Sequence, residues 1–372
     1  MITVIVIGIL IISLYSFIIL AFAKGWVNLQ FFSTVASRKF NTFVTIVVPF
    51  RNESAHLAAL LNSLTNQDYP AEHYEIILVD DHSEDNSFTE LQQLMAGYNN
   101  IRLLKLEKGS GKKSALFKGI VEAKGNLIVT TDADCTAGEK WLSTIVSFYE
   151  IYRPKMIIAP VRLLSPKNCF QFLQSIEFTS LQASTAGSAG LSHPIMCNGS
   201  NLAFEKTAYF ENNNFSVASA SGDDMFFLHQ LKKNQAQNIR YLKSTDALVY
   251  TEACPNLRSF LNQRKRWASK SQYYKDFDTI ATALIVATTN IFLVALFISG
   301  FFSIKYFSVF FFYFVLKCLS DFFLLHRTKT FWQTKMALLW FIPSAFIYPW
   351  YIAYTCLTAV IGKYEWKNRK LT

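Results

Sequence analysis

The chain has 372 residues, 51% of them hydrophobic, with 34 phenylalanines and a formal net charge of +10. That length holds one domain of about two hundred residues plus further material, and the apolar excess is beyond what a soluble domain carries. The charge does not mark a nucleic-acid binder: the basic residues flank the apolar runs (Lys24, Arg38 and Lys39, for example, then Arg264 to Arg266, then Lys363 to Lys370), as the positive-inside rule and anionic headgroups favour.

Residues 1–23 carry no charge and are long enough to span a bilayer. Ala21-Phe22-Ala23 resembles a signal-peptidase site, but no basic residue precedes Ile2. The segment reads as an uncleaved anchor with its N-terminus outside, followed by a juxtamembrane linker over 24–42. From Phe43 the pattern alternates. Residues 43–49 and 75–79 are β-branched runs that read as buried parallel strands. Residues 54–65 between them read as a helix, with Ser54 as a candidate N-cap. Further strands are predicted at 101–106, 127–131, 156–160 and 247–250, with a helix at 113–123. Strands alternating with helices predict an α/β class, a doubly wound, mostly parallel sheet whose ligands bind beyond the carboxyl ends of its strands. This domain is expected over 43–252.

An amphipathic interfacial stretch follows at 253–278, then three or four spans and a basic tail over 279–372. Residues 280–302 and 306–325 are two of the spans. The third, 336–361, is interrupted by Pro343 and Pro349, so it either crosses tilted or turns back. Lys317 and Asp321, four apart on one span, can pair across a helix turn and offset the cost of burial. The six cysteines form no C-x-x-C pair, which suits a reducing compartment and excludes a zinc ribbon.

Four segments carry chemistry. The strand ending at Val79 runs into Asp80-Asp81, and the strand ending at Thr131 runs into Asp132-Ala133-Asp134. Either pair alone reads as solvated turn aspartates. Both together, at strand ends of one sheet, point to a divalent cation bridging a nucleoside diphosphate. Residues 107–114 (EKGSGKKS) depart from the Walker A spacing, yet a Gly-rich turn with Lys112 and Lys113 before a helix can hold phosphate oxygens. Gly222-Asp223-Asp224 opens a helix, where an aspartate serves as a cap or as a general base. Gln263, Arg266 and Trp267 share one helix face, suited to gripping phosphate or to snorkelling at an interface.

Taken in order, VTIVVPFRNE (44–53), ILVDDHSEDNS (77–87), KGSGKKSAL (108–116), TTDADC (130–135), CNGSNLAF (197–204), SGDD (221–224) and QRKRW (263–267) resemble the family 2 glycosyltransferases. The resemblance implies a GT-A fold and an inverting, metal-dependent hexosyl transfer from a nucleotide sugar, a UDP-sugar first. Pro49, Phe50, Glu53, Asp80 and Asp81 then correspond to the floor of the nucleotide pocket, and Lys112 and Lys113 to phosphate or ribose contacts. Asp132 and Asp134 correspond to the DxD motif that holds Mg2+ or Mn2+, and Asn198, Gly199 and Ser200 to the acceptor-side loop. Asp224, preceded by Asp223, corresponds to the catalytic base, and Gln263, Arg266 and Trp267 to the QxxRW motif.

The base motif departs from the family in having Gly-Asp-Asp where many members have Glu-Asp. The few spans argue for one sugar placed on a membrane lipid to give a glycolipid, rather than for a processive polysaccharide synthase. Intact acidic motifs argue against an inactive nucleotide-binding scaffold. The expected location is a bacterial inner membrane, with the catalytic domain cytoplasmic. Residues 170–191, apolar at helical spacing and then rich in small residues, either face lipid or the acceptor's chain, or pack on the sheet.

Overall fold

The computed structural model describes residues 1–34, 40–212, 223–333, 338–361, 364–366 and 369–371. Gly222 of the Gly-Asp-Asp motif and the basic residues Arg38, Lys39, Lys335, Lys363 and Lys367 lie outside the described residues.

After the N-terminal helix α1 (Ile2–Asn28) come β1 (Val44–Phe50), α2 (Ser54–Thr65), β2 (Tyr74–Asp80), α3 (Ser87–Leu94), β3 (Ile101–Lys105), α4 (Lys112–Glu122) and β4 (Leu127–Thr130). The short β5 (Cys135–Ala137), α5 (Trp141–Tyr152), β6 (Met156–Ile158) and β7 (Val161–Leu163) lead to the long α6 (Cys169–Gly190). Then follow β8 (Leu202–Glu205), α7 (Lys206–Asn212), α8 (Asp223–Gln235), β9 (Ile239–Tyr241), β10 (Val249–Thr251) and α9 (Leu257–Ser269). Helices α10 (Phe277–Gly300), α11 (Ile304–Trp332) and α12 (Leu338–Ile361) precede a hairpin of β11 (Tyr364–Trp366) and β12 (Arg369–Leu371).

The central sheet has seven strands in the order β3-β2-β1-β4-β8-β6-β9, parallel except that β8 runs against both its neighbours. Because side chains alternate along a strand, Val44, Ile46 and Val48 join α2 and α5 in one core, while Val47, Ile77 and Val79 join α4 and α8 in another. Strands β1 and β2 are buried throughout, which is why they read as unbroken apolar runs. The predicted Ser54 cap is corrected: Glu53 takes the N-cap position, and the Ser54 amide donates to Asp85.

Three helices, Ile2–Asn28, Phe277–Gly300 and Ile304–Trp332, are long and apolar enough to cross a membrane. Helix α1 runs beyond residue 23 and is no loose tether. A Cβ on Gly25 would lie 2.0 Å from the Gly187 carbonyl oxygen, and one on Gly190 would lie 2.1 Å from that of Gly25. Only glycine permits that approach between α1 and α6. The small-residue half of α6 therefore packs on α1. Lys243 closes the joint by donating to the Trp26 and Leu29 carbonyls at the end of α1, both at 2.9 Å. Trp26 itself packs against Phe331 and Trp332, the last turn of α11. Pro343 and Pro349 both lie inside one continuous helix, α12, so that segment does not turn back.

Candidate active site

Strands β1, β2 and β4 end together and deliver their acidic tails to one place. Arg51, buried just past β1, donates to the Asp81 carbonyl at 2.8 Å, to the His82 carbonyl, and to Glu84 at 2.7 Å. The Asp80 carboxylate accepts the Ser83 amide at 3.0 Å, and that of Asp81 accepts the Gly111 amide at 3.0 Å. Gly111 adopts a φ of 93°, a conformation that favours glycine. The Gly-rich turn is thus docked on Asp81, and this amide is already engaged. Pro49, Phe50, Glu53, Asp81 and Lys112 line a cavity; Asp80 and Lys113 fall outside its lining.

Lys112, on the first turn of α4, pairs with Asp132. Burial pulls its ammonium pKa down, but Asp132, Asp223 and Asp224 outweigh that and hold it above its ordinary value. The beginnings of α4 and α8 and the end of β4 are therefore one electrostatic neighbourhood. Asp134 is exposed beside it.

Asp224 accepts the Gly199 amide at 3.0 Å and the Met225 amide at 2.9 Å. Gly199 is fixed from its other side, where Thr130 donates to its carbonyl at 2.7 Å. Asn198 accepts the Ser200 amide and hydroxyl, at 3.1 and 2.8 Å, and so shapes the same loop. Burial, then the charge of Asp224, push the Asp223 pKa up. Burial and the charges of Asp224 and Asp223 also push the Cys197 thiol up.

Asn256 starts α9 by accepting the Ser259 amide at 2.9 Å. Gln263, Arg266 and Trp267 line the cavity from this helix. Sequence reasoning missed the residue among them that organises the helix. Arg264, only 4% exposed, donates from Nε to Glu177 of α6 at 3.0 Å and from Nη2 to the other carboxylate oxygen. Its guanidinium lies between the rings of Phe260 and Trp267, 4.4 and 4.3 Å from their centres, so one face of the Trp267 indole is taken. Lys270, one turn further on, was also missed. Burial lowers its pKa, Arg266 and Lys112 add to that, and Asp224 and Asp223 oppose it. The run of basic residues in this stretch hid both.

Among the described residues, no three His, Cys, Asp or Glu side chains cluster to form a metal cage. Asp132 and Asp134 offer two hard oxygen donors. That suits Mg2+ or Mn2+ completed by substrate phosphates and water.

The cavity encloses about 1260 Å³ and does not stop at the carboxylates. It continues between α6, α10, α11 and α12, past Phe178, Ile280, Leu324 and Ile352, as far as Tyr15, Lys317 and Tyr348.

The sequence matches Glycosyl transferase family 2 over residues 45–206 and Glycosyl transferase family group 2 over residues 127–361. The second match spans more than half the chain. The protein belongs to the family 2 glycosyltransferases and is an enzyme of that class. An undecaprenyl-phosphate 4-deoxy-4-formamido-L-arabinose transferase of Aeromonas hydrophila is 40% identical over 94 residues, 24% of this chain and 28% of that protein. A beta-monoglucosyldiacylglycerol synthase of Trichormus variabilis is 31% identical over 110 residues, 29% of this chain and 24% of that protein. The matched stretch is thus about a quarter of the length of these relatives. A mannosyltransferase of Pyrobaculum calidifontis, solved in complex with GDP-Man and Mn2+, shares the fold with a TM-score of 0.60 at 17% identity, over 89% of this chain and 100% of that one. The fold is GT-A.

Proposed function

We propose that the enzyme transfers one sugar from a nucleoside diphosphate sugar, a UDP-sugar first, to a lipid acceptor held in the bilayer, at the cytoplasmic face and with inversion at the anomeric carbon. One observation carries this: a single cavity joins the carboxylate cluster around Asp132 and Asp224 to the apolar space between the membrane helices. A lipid chain in the lower part would place its headgroup at Asp224. Two partial relatives whose names contain undecaprenyl-phosphate and diacylglycerol support the acceptor class.

Pro49, Phe50, Glu53 and Asp81 form the nucleotide side, with Lys112 and Arg266 supplying positive charge toward the diphosphate. Asp132 and Asp134 would hold Mg2+ or Mn2+, whose charge favours departure of the nucleoside diphosphate. Asp224 takes the proton of the acceptor hydroxyl, its carboxylate aimed by the Gly199 amide. Asn198 to Ser200, latched to Thr130, would set where that hydroxyl lies. A single displacement on an α-linked donor gives a β-linked product.

The test is a donor screen. Purified enzyme in detergent with Mn2+ or Mg2+ receives each common nucleotide sugar, and release of the nucleoside diphosphate is recorded with and without a lipid extract. Lipid-dependent release supports the proposal; release without lipid together with a growing polymer overturns it. In Asp134→Ala, donor binding should lose its dependence on added Mn2+, and unchanged dependence would remove Asp134 from the metal site.

A further inference from the structure

The lower end of the cavity carries charge where a hydrocarbon chain needs none. Lys317 is 1% exposed and lines the cavity with Asp321, Tyr15 and Tyr348. Its Nζ donates to Asp321 Oδ2 at 2.6 Å, and the Tyr15 hydroxyl donates to Asp321 Oδ1 at 2.7 Å. The ammonium stands 5.3 and 5.0 Å from the ring centres of Tyr15 and Tyr348. Lys317 precedes Trp332 by fifteen residues of α11, and Trp332 packs into the core of the catalytic domain. At 1.5 Å per residue the charge therefore lies roughly 22 Å from that end of the helix.

Stapling α1 to α11 explains only part of this cluster. Tyr15 reaches Asp321 from α1, and Ser16 and Ser320 pair at 2.8 Å. A tyrosine and an asparagine would make the same bond without burying charge, which is costly inside a membrane. Lys317 and Asp321 are on one helix, so their ion pair joins no two helices. An ammonium also has three N–H donors. Among the described residues Asp321 is the sole hydrogen-bond acceptor for this one.

We propose that Lys317, paired with Asp321, is an oxygen-recognition subsite at the inner end of the acceptor cavity. It binds a neutral oxygen, hydroxyl or carbonyl, borne on the acceptor's hydrocarbon chain away from the hydroxyl that takes the sugar. The ion pair is already neutral, so an added anion would leave a net charge at mid-membrane, whereas a neutral oxygen satisfies the ammonium at no such cost. The proposal rests on the lipid-acceptor reading above and adds which lipids are preferred.

The experiment measures binding by calorimetry in detergent, with two probes: a monoacylglycerol of stearic acid and one of a mid-chain hydroxystearic acid. A hydrogen bond to a charged donor is among the stronger ones, so the hydroxylated probe should bind the native enzyme about tenfold more tightly. The double variant Lys317→Leu/Asp321→Leu should bind the two probes alike. It leaves no orphan charge, and such replacements commonly preserve folding, which a thermal midpoint checks. Tyr15→Phe cuts the bond to α1 but keeps the ammonium, and should retain the preference. Equal affinities in the native enzyme, no binding of either probe, a preference that survives in the double variant, or one lost in Tyr15→Phe would each overturn the subsite. Failure of the lipid-acceptor reading shows elsewhere, as a donor screen with no lipid-dependent release.

Discussion

At the strand ends, several charged groups are held largely by the backbone: Asp80 by the Ser83 amide, Asp81 by that of Gly111, and Arg51 by the carbonyls of Asp81 and His82 beside its bond to Glu84. Around α6, α9 and α11 they are held mainly by other side chains. Glu177 answers Arg264 across 87 residues of chain, and Tyr15 answers Asp321 across 306. The difference sets what each side tolerates. A backbone-held charge can lose its chemistry with the scaffold intact, whereas a buried charge held by another charged side chain loses its counter-charge when that partner goes.

The strongest test of the first half is Asp224→Asn. The amide oxygen still accepts from Gly199, so the fold should hold and donor affinity should change little. Turnover should fall on the order of a thousandfold or more, as when one member of a catalytic unit is lost. Near-native turnover would remove Asp224 from the base role.

The matching test of the second half is Glu177→Gln, which leaves the Arg264 guanidinium buried without its counter-charge. Stability should fall by about 3–5 kcal/mol, read as thermal unfolding in detergent. Arg264→Met combined with Glu177→Leu should recover most of it. A small effect in the single variant would mean that this pair is screened like a surface one, and the contrast between the two sides would collapse.

The same contrast decides what the sequence makes legible. Helix α2 was placed at its observed bounds and β1, β2 and β3 within a residue of theirs, because their apolar patterns are local. The positions of Asp81, Asp132 and Asp134 at the strand ends were visible for the same reason, each following a strand, while Asp80 is the last residue of β2. Strands β5, β7, β8 and β9 went unpredicted, being three or four residues long and defined by pairing with distant strands. Arg264 was lost among the other bases of α9, since nothing local says that it, and not a neighbouring base, pairs with Glu177. Helices α1, α10 and α11 were legible as segments long and apolar enough to cross a membrane. That α1 packs as part of the enzyme's body was not, because it rests on a backbone contact between Gly25 and Gly187, far apart in the chain.

That contact supplies a third test. Gly187→Ala would put its Cβ 2.3 Å from the Phe22 carbonyl oxygen. Both neighbours are helix backbone, so neither gives way locally, and α1 must move off α6. A loss near 3 kcal/mol, the upper end of ordinary overpacking, is expected in detergent unfolding. Donor affinity should persist while lipid-dependent transfer drops, because the displaced helix forms one wall of the cavity. Equal loss of both would mean that α1 holds the catalytic domain together and does not merely shape its membrane side.

The smallest effect belongs where the two kinds of holding coexist. Asp276, at the start of α10, accepts from Lys232 at 2.9 Å, and also from the Thr279 amide and hydroxyl at 2.9 and 2.8 Å. Burial alone would raise its pKa, but the Lys232 and Thr279 hydrogen bonds outweigh that and leave it below its ordinary value. The stabilisation this represents is complete above the unfolded value of about 3.9 and is lost as pH falls through the lower folded value. Lys232→Met removes the charged partner of Asp276 and leaves the two Thr279 donors in place; it also removes the 2.7 Å bond from Lys232 to Asp278, which keeps His193 at 2.9 Å. Stability at neutral pH should fall by about 2 kcal/mol, and the acid-side loss should become shallower, because less of the native preference for the carboxylate remains. A drop as large as that of Glu177→Gln would show that backbone donors do not protect a buried carboxylate here, and the distinction between the two walls would have to rest on burial alone.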